Sequence, residues 1–292
     1  MSNPSFLDKV RRGLGPVLPA RLRTATPVVP VVRLSGAIGM SSPLRPGITF
    51  SGVAKTLDRA FAVSGAKAVA LVINSPGGAP AQSHLVYRRI RTLAQEKNLP
   101  VIAFVEDVAA SGGYMLACAA DEIVADPFSI LGSIGVISAG FGFDRAIEKL
   151  GIERRVHTAG TRKGLLDPFQ PEKPEDVERL KAIQAEIHER FVALVRERRG
   201  SVLAGPDDTL FSGDFWAAPQ ALELGLADAI GDLRGYLKAR YGDTVKTPLV
   251  PGGGGLFGRR TPGVGGAAIG AGVAETLLAA AEERALWGRF GL

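Results

Sequence analysis

The stretch AKAVALVINSPGG, residues 66–78, is apolar through most of its length and ends in Pro-Gly-Gly. A short apolar run that is bounded by turn residues is typical of a strand buried on both faces. A helical pattern from about Ala81 to Lys97 follows it, and a second apolar run, VIAFV (residues 101–105), comes after Pro100. Because fully apolar strands alternate with helices, we predict an α/β fold with a parallel sheet covered by helices on both faces.

The same alternation extends in both directions from this unit. Upstream, a strand-like run at residues 27–39 precedes apolar residues at helical spacing, namely Phe50, Val53, Leu57 and Phe61. Downstream, DEIVAD (residues 121–126) predicts a third short strand, and Pro174 introduces a long amphipathic helix that ends near Gly200. The stretch FWAAPQALELGLADAIGDL, residues 215–233, predicts a helix, a turn and a short final strand.

The composition favours a globular protein without disulfides. The chain has 292 residues, of which 46% are hydrophobic and 22% charged, and its formal net charge is +6. The positive excess is concentrated near the N-terminus without a zinc-binding or base-stacking motif, so we expect no nucleic-acid partner. The single cysteine, Cys118, excludes an intramolecular disulfide. Because no apolar run resembles an export signal or is long enough to span a membrane, we expect a cytoplasmic protein.

Composition also divides the chain into four predicted parts. Residues 1–25 form an arm of apolar and basic side chains, which could lie on the acidic inner face of a membrane or fray in solvent. Residues 26–245 contain the alternating strands and helices and form the main domain. A linker rich in glycine and proline, residues 246–268, joins it to a predicted C-terminal helix at residues 269–292.

Ser111 stands between two alanines and two glycines, directly before a second helical stretch. Parallel strands joined by right-handed crossovers end at one edge of the sheet, so the turn at Ser111 and the turn at residues 75–78 should meet there. Backbone N–H groups at the start of a helix lack partners within the helix, and glycines let a ligand approach them closely. This edge could therefore hold an oxyanion, and Ser111 could be a nucleophile or could simply cap the helix with its side chain.

A serine nucleophile needs a base beside it, and the sequence offers four candidates. Three are histidines: His84 on the helix after Pro-Gly-Gly, His157 in a loop, and His188 on the long helix, where we expect it to be solvated. The fourth, Lys163, follows His157 in the same glycine-containing loop. A lysine acts as a base only when its pKa falls from about 10.4 to roughly 7–8, which requires removal of water from the amine. No role is assigned to three acidic residues near the proposed site, Glu106, Asp107 and Asp167.

Four motifs occur in a fixed order along the chain: INSPGG (73–78), AASGGYMLACAADEIVADPFSILGSIGVI (109–137), RKGLLDPF (162–169) and ALELGLADAIGDL (221–233). With these motifs the chain resembles the protease IV or signal peptide peptidase A family of serine peptidases, which has the ClpP/crotonase type of fold. The resemblance runs from about Val31 to Leu237, and the separation of Ser111 and Lys163 matches that of the family's dyad.

The resemblance implies roles for five residues. Ser111 would be the nucleophile, Lys163 its general base, and Ser133 a hydrogen-bonding partner that orients the lysine amine. The N–H groups of Gly78 and Gly112 would form the oxyanion hole. No cofactor and no metal are expected.

The resemblance also implies a substrate class and an assembly. The substrates would be peptides, including remnants of signal sequences, bound in extended form beside the sheet edge with small or apolar side chains in shallow pockets. Because each motif occurs once, we expect a homo-oligomeric ring in which adjacent protomers supply the serine and the lysine. Many relatives carry an N-terminal membrane anchor that this chain lacks, so contact with the bilayer would depend on the basic arm.

Two other functions stay open from the sequence. A ring scaffold without catalysis could act as an adaptor for membrane proteins, through the basic arm and the C-terminal helix. An acyl-CoA enzyme of the crotonase type could use the paired glycine turns to hold a thioester enolate, although such an enzyme would need only backbone donors where this chain has Ser111.

Overall fold

The structure is a computed structural model and describes residues 26–39, 47–160, 162–252, 281 and 284–292. The predicted basic arm, and most of the predicted linker and C-terminal helix, lie outside these residues. Among the described residues, no helix combines the length and the hydrophobicity needed to cross a membrane.

Strands and helices alternate along the described chain. The strands are β1 (Val31–Ser35), β2 (Val69–Ser75), β3 (Val101–Ala110), β4 (Glu122–Ala125), β5 (Ile130–Gly132), β6 (Phe215–Ala217) and β7 (Ala229–Ile230). The helices are α1 (Phe50–Phe61), α2 (Pro80–Lys97), α3 (Gly112–Ala117), α4 (Asp144–Lys149), α5 (Pro174–Arg199), α6 (Asp207–Leu210), α7 (Ala218–Glu223) and α8 (Leu233–Tyr241). Residues 284–288 are also helical.

The strands of the described chain form a single sheet. Five of them run in the order β1-β2-β3-β4-β7, and each neighbouring pair in this order is parallel. β5 pairs parallel with the last residues of β3, and β6 pairs antiparallel with β5. The predicted α/β class, with a largely parallel sheet and flanking helices, is confirmed.

Apolar side chains pack against helices on both faces of the sheet. On one face, Leu71 of β2 and Ile90 of α2 belong to the larger core. On the other face, Val72 of β2 and Phe104 of β3 pack with Leu237 of α8. Because successive residues of a strand point to opposite faces, both sets must be apolar, which explains the unbroken apolar run in the sequence.

β3 continues beyond the predicted apolar run, as far as Ala110. The extension contains two acidic residues whose carboxylates accept hydrogen bonds from side chains of β1 and β2. Glu106 accepts two hydrogen bonds of 2.7 Å from Arg33, and Asp107 accepts one from the amide of Asn74. These pairings let the strand run on to Ser111, and they give Glu106 and Asp107 contacts within the sheet.

Residues 246–250, which the sequence assigns to the linker, lie beside β1. Val29 N donates to Lys246 O at 2.8 Å, and Val250 N donates to Val31 O at 2.8 Å. Backbone pairing with the sheet therefore extends past the predicted boundary at residue 245.

The last described residues also contact the sheet. Phe290 is buried with Val108 and Ala110 of β3, and its ring meets that of Phe215 edge-on with 5.0 Å between centroids. This part of the predicted C-terminal helix packs beside the strand that precedes Ser111.

Candidate active site

Ser111 lies in a tight turn between β3 and α3. Its backbone angles, φ 52° and ψ −121°, are those of the first central residue of a type II′ turn, a position that glycine usually occupies. The Ser111 N–H donates to Gly132 O at 2.8 Å. Its hydroxyl makes no capping hydrogen bond to α3, so the alternative role as a helix cap is wrong. The turn instead holds the hydroxyl in a conformation that is costly for a residue with a Cβ atom.

The Pro-Gly-Gly turn after β2 lies directly against Ser111. A Cβ atom added to Gly77 would stand 2.8 Å from the Cβ of Ser111, so the two turns touch. The Gly77 N–H donates to Ser75 Oγ at 3.2 Å, within its own turn. Among the described residues, the N–H groups of Gly78 and Gly112 donate to no acceptor. Two backbone donors beside one hydroxyl are the arrangement that binds an oxyanion.

Glycine is required at these positions because other groups occupy the space of a side chain. A Cβ atom on Gly78 would collide with the backbone of Ile38, one on Gly112 with Ser83 Oγ, and one on Gly113 with Ser75 O. Gly78 also has φ +141°, in the region that favours glycine. The close approach of these segments fixes the position of both free donors.

Ser133 lies next to Ser111 because β5 pairs with β3. Ala110 and Gly132 are register partners, so each serine is the first residue after its strand. Ser133 is 5% exposed and has φ +53°, a second strained serine at the same edge. Its N–H donates to Asp214 O at 2.6 Å, and its carbonyl accepts from Gly135 N at 2.9 Å. We call the three turns at residues 75–78, 111–113 and 132–135 the serine edge.

Lys163 lies in a different environment from the two serines. Its side chain is exposed. This side chain forms no hydrogen bond or salt bridge with any described residue, and therefore none with Ser111 or Ser133. The turn that carries it is tied to the start of α5, where Leu166 N donates to Asp176 Oδ2 at 3.4 Å. Asp167, also in this loop, pairs with Arg154. The structure therefore brings Ser111, Ser133, Gly78 and Gly112 together, whereas no contact joins Lys163 to them.

The segment around Lys163 exposes large apolar side chains. We call residues 136–173 the lysine segment; within it Phe141 is 80% exposed, Leu150 73% and Ile152 54%. A cavity of about 620 Å³ is lined by two parts of this segment, within residues 138–144 and 164–173, and by the first turns of α5. Exposed apolar side chains in this number are typical of an interaction surface. Sequence reasoning missed this feature, because apolar residues in an irregular segment show no periodic pattern that tells an exposed side chain from a buried one.

The three histidines occupy different environments. His84 is exposed and stacks on Tyr87, and His157 is exposed. His188 is half-buried, and its Nε2 lies 3.1 Å from Ile134 O, so the expectation of a solvated ring was wrong. The sequence carried no signal of this contact, which depends on how α5 crosses the turn after β5.

Two titratable groups, one on α3 and one directly after it, belong to the core. Tyr114 and Cys118 are fully buried, and the Tyr114 hydroxyl donates to Leu226 O at 2.9 Å. Burial raises the pKa of the Cys118 thiol to about 12 and holds the pKa of Tyr114 well above its usual value. Neither group supplies an anion at neutral pH. The described residues also contain no cluster of three or more His, Cys, Asp or Glu side chains that could hold a metal ion.

Comparison with known proteins places this chain in a family. Residues 93–240 match Peptidase family S49. The chain is 54% identical over 284 residues to a protein of Brucella abortus named Na(+)/H(+) antiporter NhaA, covering 94% of this chain and 38% of that protein. It is 37% identical over 171 residues to the chloroplastic serine protease SPPA of Arabidopsis thaliana, covering 57% of this chain and 24% of that protein. The chain thus spans less than half the length of either relative.

Among solved structures, a ClpP1 mutant of Listeria monocytogenes aligns with the fold. The alignment covers 71% of this chain and 94% of that one, with a TM-score of 0.46 and 17% identity.

Proposed function

Since the chain belongs to peptidase family S49, we propose that it is a serine peptidase in which Ser111 is the nucleophile and Lys163 the general base. The observation that carries the proposal is the strained turn of Ser111, whose hydroxyl caps no helix and lies beside the free N–H groups of Gly78 and Gly112. A backbone conformation that favours glycine costs energy at a serine, and such strained residues cluster at functional sites.

The proposed reaction has two steps through an acyl-enzyme. Lys163 removes the hydroxyl proton of Ser111 while Oγ attacks the scissile carbonyl, and the N–H groups of Gly78 and Gly112 bind the developing oxyanion. The lysine then gives this proton to the departing amine as the C–N bond breaks. In the second step the neutral lysine takes a proton from water, which attacks the ester, and the acid product leaves as the proton returns to Ser111.

Ser133 is proposed to orient the lysine amine. Its hydroxyl belongs to a buried residue directly beside Ser111, where its oxygen can accept a hydrogen bond from the ammonium and from the neutral amine. The contact with the neutral amine matters most, because an N–H held by Ser133 leaves the single lone pair of the base directed toward the nucleophile.

We propose that the lysine comes from a neighbouring protomer. The lysine loop is tied to α5 at Asp176, and the turn after Ser133 contacts the same helix at His188. These positions are separated by about 18 Å along a helix that rises 1.5 Å per residue. Lys163 is also exposed, whereas a catalytic lysine needs a dry environment. Packing of the apolar lysine segment on a second copy would supply both the base and the exclusion of water.

The proposed substrates are extended peptides with small or apolar side chains, such as remnants of signal sequences. A peptide could pair with the exposed backbone beyond the serine edge, where residues 136–140 have no strand partner within the described chain. We place the reaction in the cytoplasm, at the inner face of the membrane if the basic arm binds acidic lipid.

The dyad is tested by two single variants and by their mixture. Ser111→Ala and Lys163→Ala should each lower peptide hydrolysis by at least about 10³-fold, because the nucleophile and its base act as a unit. If adjacent protomers share the site, dissociating and reassembling the two inactive variants together should restore activity, in about a quarter of the sites for random mixing in a ring. Lys181→Ala, an exposed lysine on α5, is the control and should retain full activity.

Three results would contradict parts of the proposal. Full turnover by Lys163→Ala would show that Lys163 is not the general base. Mixed assemblies without activity, formed from variants that do co-assemble, would place the dyad within one chain. A fluorophosphonate that never labels Ser111 in the assembled wild type would favour the scaffold function.

A further inference from the structure

α5 passes close to the turn that carries Ser133, and one side chain joins them. His188 Nε2 lies 3.1 Å from the carbonyl oxygen of Ile134, the residue after Ser133. A carbonyl oxygen only accepts hydrogen bonds, so the ring nitrogen that faces it must carry the proton. His188 therefore donates through Nε2, and its other nitrogen, Nδ1, is free to accept when the ring is neutral.

The turn that His188 contacts is one that needs external support. Ser133 has φ +53°, and Gly135 N folds back onto Ser133 O at 2.9 Å. Such a conformation persists only when neighbouring groups hold it. On one side, Asp214 O accepts from Ser133 N at 2.6 Å. On the other, His188 is the only donor to Ile134 O among the described residues.

We propose that His188 is a positioning residue for peptide hydrolysis, which holds the Ser133 turn so that the Ser133 hydroxyl meets the lysine amine. The inference rests on the proposed function of Ser111, Lys163 and Ser133. His188 touches neither the substrate nor the reacting atoms; it acts through the backbone of Ile134.

The position of His188 on α5 gives the contact a second consequence. The same helix holds the lysine loop of its own chain through Asp176. α5 is a continuous helix of 26 residues, so the spacing between the serine turn and the lysine loop is fixed along one rigid element. In a ring, this element would set where each protomer presents its serine turn to one neighbour and its lysine to the other.

The test compares two side chains of equal length at this position. In His188→Gln, the amide Nε2 can donate to Ile134 O, whereas His188→Met fills a similar volume without a donor. We expect the Gln variant to keep the kcat of the wild type, and the Met variant to lose roughly 10- to 100-fold in kcat with an unchanged KM. Labelling of Ser111 by a fluorophosphonate should slow in parallel. Glu189→Ala, an exposed neighbour on the same helix, is the matched control.

The outcomes separate this inference from the proposed function. If the wild type and Ser111→Ala do not differ in hydrolysis or labelling, the proposed function fails. If the wild type is active and the Gln and Met variants have the same kcat, the role of His188 alone is refuted, and a loss that appears in KM rather than kcat refutes it too. Should His188→Met fail to fold, His188→Asn gives the same contrast with Gln, because its amide is one methylene too short to reach Ile134.

Discussion

The serine edge and the lysine segment are built in opposite ways. At the serine edge, backbone and side-chain atoms of neighbouring segments occupy the space that a Cβ atom would need at Gly78, Gly112 and Gly113, and Ser133 is 5% exposed. In the lysine segment, Gly140 and Gly164 have open space around them, and Phe141 is 80% exposed. One region is closely packed within a single chain, whereas the other leaves large apolar side chains exposed, as expected if a second chain covers them.

The difference fits what each half of the proposed chemistry needs. An oxyanion hole needs backbone donors fixed within tenths of an ångström, which close packing inside one domain supplies. A neutral lysine needs the removal of water, which packing between chains can supply as well as packing within one. A division of this kind would link activity to assembly, because isolated chains would carry nucleophiles without bases.

Among variants that test the contrast between these two regions, the largest effect is expected from a charge placed in the lysine segment. Phe141→Glu should prevent assembly and lower peptide turnover by about 100-fold or more, because an unpaired carboxylate cannot be buried between chains. Phe128→Glu is the matched control, since Phe128 is 90% exposed but lies in the turn between β4 and β5. Sedimentation velocity and peptide hydrolysis measure both effects. A Phe141→Glu variant that assembles and cleaves like the wild type would mean that this surface is not an interface.

A smaller effect, on stability, is expected from alanine in place of glycine. Gly113→Ala should lower the free energy of unfolding by about 1–3 kcal/mol, because its Cβ would collide with Ser75 O. Gly140→Ala should leave it unchanged or raise it slightly, since no atom lies within 4 Å of the added Cβ. Thermal unfolding should therefore separate the two variants by several degrees. Equal melting temperatures would mean that the serine edge relaxes as easily as the lysine segment.

The smallest effect is expected in acid and contrasts Asp121, which lies directly before β4 at the amino ends of the strands, with a carboxylate of the lysine segment. Burial alone would raise the pKa of Asp121, but hydrogen bonds from Val101 N and from Arg91 and Arg198 hold it below its ordinary value. A lowered pKa stabilises the fold above the ordinary value near pH 4, and this stability is lost as the pH falls further. Asp121→Asn should therefore lower the melting temperature at pH 7 and lose this difference from the wild type toward pH 3.

The control for this measurement is Glu153→Gln in the lysine segment. Glu153 pairs with Arg155, and the two side chains are 71% and 75% exposed, so solvent screens the pair. We expect the melting curves of this variant to follow the wild type across the same pH range. A pH-independent difference for Asp121→Asn would contradict the assigned role of its charge.

Much of the serine edge could be predicted from the sequence. Long apolar strands, separated by helices, require the turns at Gly77 and Ser111 to meet at one edge, and the structure has them in contact. Ser133 entered only through the family resemblance, because the strand that positions it, β5, has three residues and is too short for a periodic signal. The same limit concealed β6, a strand of three residues; Asp214, directly before it, accepts the hydrogen bond from Ser133 N.

The contact of His188 and the exposed surface around Phe141 could not be predicted in this way. His188 lies on a helix whose neighbours in sequence are charged, and only the path of α5 across the sheet brings it to Ile134. Phe141 and Leu150 look like core residues in the sequence, because hydrophobicity does not tell a core within one chain from a contact between chains.

At position 111, the backbone conformation favours glycine, whereas the proposed chemistry requires a hydroxyl. At φ 52° and ψ −121°, glycine would fit this turn with less strain than any residue that carries a Cβ atom. The mutation that relaxes the turn most therefore also deletes the hydroxyl. A lineage released from the need for catalysis would be expected to drift toward glycine at this position and gain stability as it did so.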